Sequence, residues 1–162
     1  MVSILLGSDT DLPIMQETAK MLENFGIDFE IKILSAHRTP EAVRSYVKQA
    51  EKKGIKIFIA GAGGAAHLPG LVAAYTTLPV IGVPLGSELN GLDSLFSIVQ
   101  MPKGVPVGTV AIGKAGAINS AILAAEILAL SDKDLKRKLQ DYRKNLEREV
   151  LNKSKSLGGS DA

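Results

Sequence analysis

Apolar residues fall into two spacings that alternate along the chain. VSILL at Val2–Leu6 is a short, mostly apolar run that stops at Gly7, the pattern of a strand buried on both faces. Ile14, Met15, Thr18, Ala19, Leu22 and Phe25 then recur at helical spacing over residues 12–25, with Pro13 in the tolerant first turn and Gly26 as a stop. Residues 29–34 predict a second strand. Thr39-Pro40-Glu41 opens a second helix, with Thr39 as candidate cap, running to about Lys53 and ended by Gly54. A third strand is expected over 55–60, then a glycine-rich turn at 61–64 and a helix of small residues to about Tyr75. Residues 79–83 predict a fourth strand, followed by a polar loop at 84–92 and a helix around 93–100. A fifth strand over 107–112 precedes an alanine-rich helix at 115–130. The last helix is expected over 132–151, where Leu135, Leu139, Tyr142, Leu146 and Val150 share a face; residues 153–162 are expected as a flexible tail.

Strands alternating with helices imply a parallel sheet with right-handed crossovers. Five strands in this length point to a flavodoxin-like three-layer α/β/α sandwich, a five-stranded parallel sheet in one catalytic domain at 1–152, with an extra C-terminal helix. That helix packs on its own domain or reaches across to a neighbour. Ligands of such sheets bind at the carboxyl ends of the strands. The polar and glycine-rich clusters fall there, at 7–11, 35–38, 61–67 and 84–91.

Composition narrows the function. Of 162 residues 46% are apolar, enough for a core, and 19 basic against 17 acidic residues leave a net charge of +2. Such balance argues against a nucleic-acid or membrane partner, and 4% aromatics supply few stacking platforms. The absence of cysteine excludes disulfides and thiolate chemistry. Neither a leader-like N-terminus nor a long apolar run is visible, so a soluble, cytoplasmic protein is expected. Residues 54–130 carry only six charged side chains, Lys56, Glu88, Asp93, Lys103, Lys114 and Glu126. A sheet covered on both faces explains part of this. The rest predicts helices buried against other subunits, hence a homo-oligomer with a large apolar interface.

Three stretches could carry chemistry. Gly7-Ser8-Asp9-Thr10-Asp11 joins a buried strand to a helix; its backbone N–H groups can cradle an anion, and Asp11 suits a ribose diol. An ordinary helix cap would use the same residues. Ser35-Ala36-His37-Arg38-Thr39-Pro40 places Arg38 and Ser35 where a phosphate could be held and adds His37, a side chain type able to move protons at neutral pH. A cap followed by solvated side chains is the plainer reading. In AGAGGAAHLPG at 60–70, small residues let a ligand approach the backbone and His67 stands among nearly apolar walls; tight helix packing is the alternative. Two histidines without clustered acids make a three-ligand metal site hard to build, and no phosphate-loop or nucleophile-elbow motif is present. Lys114 follows the fifth strand as in receiver domains, but Ala60-Gly61 stands where their acidic phosphoacceptor would be.

GSDTD at 7–11, SAHRTP at 35–40, AGAGGAAHLPG at 60–70, PVIGVP at 79–84 and the run from Asp93 to Ala125 closely resemble, in order, the class I N5-carboxyaminoimidazole ribonucleotide mutases of the bacterial PurE family. The departure lies at Thr10-Asp11-Leu12, where the common pattern has serine then Asp-Trp; Leu12 is read as a packing difference. The resemblance implies a flavodoxin-like homo-octamer, a C-terminal helix embracing a neighbour, and active sites at subunit junctions. It implies that Ser8, Asp11, Ser35 and Arg38 bind the ribose phosphate portion, with His37 as general acid/base. His67, the turn Gly61, Ala62, Gly63 and Gly64, and Leu68 would line the carboxyl pocket, and Ser87 with the 84–91 loop would complete the site from another subunit. No cofactor is implied, and a transient contact with the synthetase that makes the substrate is a further expectation. The alternatives are a direct aminoimidazole ribonucleotide carboxylase using carbon dioxide, and a non-catalytic nucleotide-binding module. The paired histidines at adjacent strand ends argue against the module.

Overall fold

A computed structural model describes residues 1–156. Contacts divide the chain into two compact units, the first Met1–Ala124 and the second beginning at Ala125. Among the described residues the first unit holds five strands, β1 (Val2–Leu6), β2 (Phe29–Ile33), β3 (Ile57–Ala62), β4 (Val80–Pro84) and β5 (Gly108–Thr109). All neighbouring pairs are parallel, in the order β2-β1-β3-β4-β5. The order reverses at β1, beside β3, where a crevice opens at the strands' carboxyl ends.

Alternation along the central strands separates two buried faces. Leu5, Phe58, Ala60 and Val80 pack with Val43 and Val47 of α2 (Pro40–Ala50), Leu68 and Val72 of α3 (Leu68–Ala73) and Ile98 of α4 (Leu92–Val99). On the opposite face Gly61 lies against Met15 of α1 (Leu12–Phe25), and Val83 lies against Gly116 of α5 (Gly113–Leu128). Thr18 of α1 donates to the Ala117 carbonyl at 2.8 Å and lies 3.3 Å from the Ser120 hydroxyl, tying α1 to α5. The result is the expected flavodoxin-like three-layer sandwich. Lys114 reaches Glu17 of α1 at 3.4 Å.

Several boundaries differ from the sequence pattern for local reasons. The third strand, expected over 55–60, runs Ile57–Ala62, because Ile55 N–H still closes the preceding helix by donating to the Ala50 carbonyl at 3.2 Å. The helix of small residues is one short stretch, and the fifth strand pairs over two residues only. Thr39 holds the cap position of α2, but its hydroxyl turns back, accepting from Ser35 N–H and donating to the Ser35 carbonyl.

In the second unit, α6 (Lys133–Ser156) is capped by Asp132, whose carboxylate accepts from the N–H groups of Asp134 and Leu135, both at 3.0 Å. Leu135 and Leu139 are its buried residues, and Arg143 pairs with Glu126 at 3.2 Å. The helix, expected to stop near 151, continues to Ser156, so residues 153–156 of the expected tail are helical; the remainder of that tail lies outside the described residues. No helix among the described residues is long and apolar enough to cross a membrane.

Candidate active site

The turn after β1 is a capping box built on a single 3-10 turn. Ser8 Oγ accepts from Thr10 N–H, while Asp11 Oδ2 accepts from Ser8 N–H at 3.2 Å. The plainer reading of GSDTD is therefore realised, yet the same residues form one wall of a cleft. Burial pushes the Asp11 carboxyl above its ordinary range, against the lowering influence of the Ser8 and Gly7 backbone N–H groups and of Arg38 nearby. Asp11 thus faces the cleft as a partly desolvated acceptor.

Arg38, between β2 and α2, is held at three points. Its Nη2 donates to the Gly7 carbonyl at 2.8 Å, and its Nε and backbone N–H both donate to Ser35 Oγ, at 3.3 and 3.2 Å. The two side-chain bonds use two of the five guanidinium N–H donors, leaving three for an anion. They also fix the plane of the fork against the end of β1, which is the preorganisation a bidentate oxyanion contact needs.

His37 and His67 meet across the crevice. Nε2 of His37 lies 2.6 Å from Nδ1 of His67, with ring centroids 4.8 Å apart and planes 75° from parallel. This contact holds one proton between two lone pairs; two N–H groups cannot face each other at that distance. Each ring therefore sets the tautomer of the other. His67 is delivered by a tight turn in which Ala66 N–H donates to the Gly63 carbonyl and Ala66 takes a left-handed φ of 46°. A non-glycine residue in that region is strained, and here the strained residue directly precedes a histidine of the pair.

These pieces enclose a cleft of about 450 Å³. Its lining combines polar Ser8, Asp11, Ser35 and Arg38, the two histidines His37 and His67, and small or apolar Ala62, Gly63, Ala66 and Leu68. A smaller hollow of about 300 Å³ continues past Ser8, Ser35 and Arg38 toward Asp9 and Ile33. Three residues singled out from sequence stand elsewhere. Gly61 is buried in β3, where an added Cβ would come within 2.8 Å of Met15 Sδ, so helix packing accounts for it. Gly64, at φ 63°, serves the turn itself. Ser87 does not line the cleft of its own chain; its hydroxyl donates to Asp93 and accepts from Gly91 N–H. That bond holds the Asp93 carboxyl below its usual range.

Gly86 and Ala66 also line the cleft; they fall within the 84–91 and 60–70 stretches that the sequence places at the strand ends, but neither stands out there, since Gly86 carries no chemical group and a left-handed alanine has no compositional mark. Among the described residues no group of three or more His, Cys, Asp or Glu gathers as a metal site.

A family model described as AIR carboxylase matches residues 1–149. The N5-carboxyaminoimidazole ribonucleotide mutase of Thermotoga maritima is 59% identical over 157 residues, covering 96% of this chain and 91% of the relative. The protein of that name from Bacillus subtilis is 54% identical over 158 residues, covering 97% and 98%. The crystal structure of Treponema denticola PurE superposes with a TM-score of 0.89 at 31% identity, covering 98% of both chains.

Proposed function

The chain belongs to the AIR carboxylase family, and from that premise we propose how its cleft works. The activity is that of the N5-carboxyaminoimidazole ribonucleotide mutases, an isomerase step of purine biosynthesis that moves a carboxyl group from nitrogen to carbon 4 of the aminoimidazole ring. The observation that carries the reading is the His37–His67 contact at 2.6 Å, in one cleft whose lining joins Arg38 and Ser35 to small apolar residues.

The ribonucleotide phosphate takes the free donors of Arg38 and the Ser35 hydroxyl, and Asp11 with Ser8 receives the ribose. The ring then lies beside His37. The carbamate C–N bond breaks, its electron pair returns to nitrogen, and that nitrogen takes a proton. Carbon dioxide stays against Ala62, Gly63, Ala66 and Leu68. Carbon 4 of the electron-rich ring attacks it, and the C4 proton leaves to restore aromaticity. One proton is given and one taken back, so a single shuttle serves both halves, with His37 as that shuttle and His67 fixing its tautomer. Holding both fragments together makes recombination effectively unimolecular, an advantage of up to about 7–11 kcal/mol.

His37 and His67 are exposed in the isolated chain, and so are Leu89, Leu92, Phe96 and Val99 just beyond Gly86. A homo-oligomer, expected to be an octamer, would bury this apolar surface and exclude water from the cleft. Cytoplasmic location and delivery of substrate by its synthetase belong to the same reading.

The test runs purified protein, without ATP or metal, on N5-carboxyaminoimidazole ribonucleotide and, in parallel, on aminoimidazole ribonucleotide with bicarbonate. Fast conversion of the first, with the second needing very high bicarbonate, is expected. Efficient use of the second at modest bicarbonate with neglect of the first would make the protein a direct carboxylase.

A further inference from the structure

The loop after β4 is fastened at both ends. Leu85 N–H donates to the Ala62 carbonyl at 2.9 Å, which seats the loop on the last residue of β3. Gly86 follows as part of the cleft wall, so close to the glycine turn that a Cβ on Gly63 would lie 3.1 Å from the Gly86 carbonyl oxygen. From there the chain must return to α4. It does so through Asn90 and Gly91, both left-handed at φ 55° and 86°, and a Cβ on Gly91 would lie 2.5 Å from Ile112. Gly91 adopts this conformation freely, whereas left-handed Asn90 is the one residue of the path that other bonds must hold in place.

Asp93 supplies them. Its Oδ1 accepts from the Ser87 hydroxyl and from Ser94 N–H at 2.9 Å, and Ser87 Oγ in turn accepts from Gly91 N–H at 3.2 Å. Asp93 itself does not line the cleft. Its bond partner is the immediate neighbour of Gly86, which lines the cleft close to Gly63.

We propose that Asp93 is a positioning residue for the carboxyl transfer: acting through Ser87, it holds the Gly86 peptide against Gly63 as the wall that keeps released carbon dioxide beside carbon 4. The proposal rests on the trapped-carboxyl reading given above. It also assigns Ser87 to the loop's shape rather than to contact with substrate.

The experiment measures conversion of N5-carboxyaminoimidazole ribonucleotide in carbon-13 bicarbonate, scoring the fraction of product carboxyl drawn from solution, for wild type, Asp93→Ala, Ser87→Ala and Asp93→Asn. Little label is expected in wild type. Asp93→Ala and Ser87→Ala are expected to raise the labelled fraction several-fold and to lower kcat by about tenfold or more with KM little changed, the mark of a displaced wall. Asp93→Asn keeps an acceptor for Ser87 and is expected to stay near wild type. A role in folding alone would lower the amount of active protein without moving the labelled fraction. A protected wild type with unmoved Asp93→Ala and Ser87→Ala variants would overturn this proposal alone. Full labelling in wild type would overturn the trapped-carboxyl reading and this proposal with it. Should Asp93→Ala fail to fold, Ser87→Ala decides, since it leaves the Asp93 bond to Ser94 intact.

Discussion

Asp11 shows how one residue can serve a site at the expense of the fold. Its carboxyl is pushed above the ordinary range, chiefly by burial. A folded-state pKa above the unfolded one contributes stability that is complete below the unfolded pKa and is lost as pH rises through the folded value. Asp11→Asn keeps an acceptor for Ser8 N–H and never ionises. Its melting temperature should match wild type below about pH 4 and exceed it at neutral pH, while substrate binding weakens; thermal unfolding across pH checks the sign. Arg38→Ala should raise the substrate dissociation constant by about ten- to a hundredfold through loss of a charge-assisted pair, with Arg38→Lys recovering part of it, as calorimetry would show. At Ala66 the left-handed backbone decides: Ala66→Gly should stay within about 1 kcal/mol of wild-type stability, whereas Ala66→Val should be clearly less stable in denaturant unfolding. His37 and Arg38 were legible in the sequence because their types announce their chemistry and their place follows a strand end. The 2.6 Å contact between His37 and His67 was not, since thirty residues separate them and only the register of β1 between β2 and β3 brings their loops together.

At the scale of elements, the alternation of strands and helices was readable throughout, because short apolar runs alternate with stretches of helical spacing. What the pattern could not give was where a strand begins after a helix that closes late. Ile55 looks like strand yet completes the helix before it, and at the other end Gly61 and Ala62 leave the expected turn for β3 because they pair with Leu6, Val83 and Pro84 of the flanking strands. The glycines in the elements are also set by neighbours far away in sequence. A Cβ on Gly116 of α5 would lie 1.6 Å from the Ala111 carbonyl oxygen, a backbone atom that cannot yield as a flexible side chain can. Gly116→Ala should therefore cost about 3 kcal/mol or more, seen as a fall of about 6–12 °C in Tm. Ser87 is the corresponding lesson for the site. The resemblance implies that it completes the site of another subunit, and within its own chain its hydroxyl donates to Asp93.

For the whole molecule, the scarcity of charge between residues 54 and 130 has two visible sources. The central strands are buried, and the outward side of α4 with its preceding loop leaves Leu92 50%, Phe96 60% and Leu89 61% exposed. Polar substitution there tests the proposed assembly. Phe96→Asp should shift the protein to smaller species in light scattering and lower activity together, because the exposed cleft loses its cover. An unchanged mass would detach the apolar surface from assembly. The central claim, that the histidine pair moves the proton of a carboxyl transfer, is tested most directly by the His37→Asn variant under saturating N5-carboxyaminoimidazole ribonucleotide. We expect substrate to bind with an affinity near that of wild type while product formation falls below detection. Turnover at the wild-type rate by that variant would contradict the account.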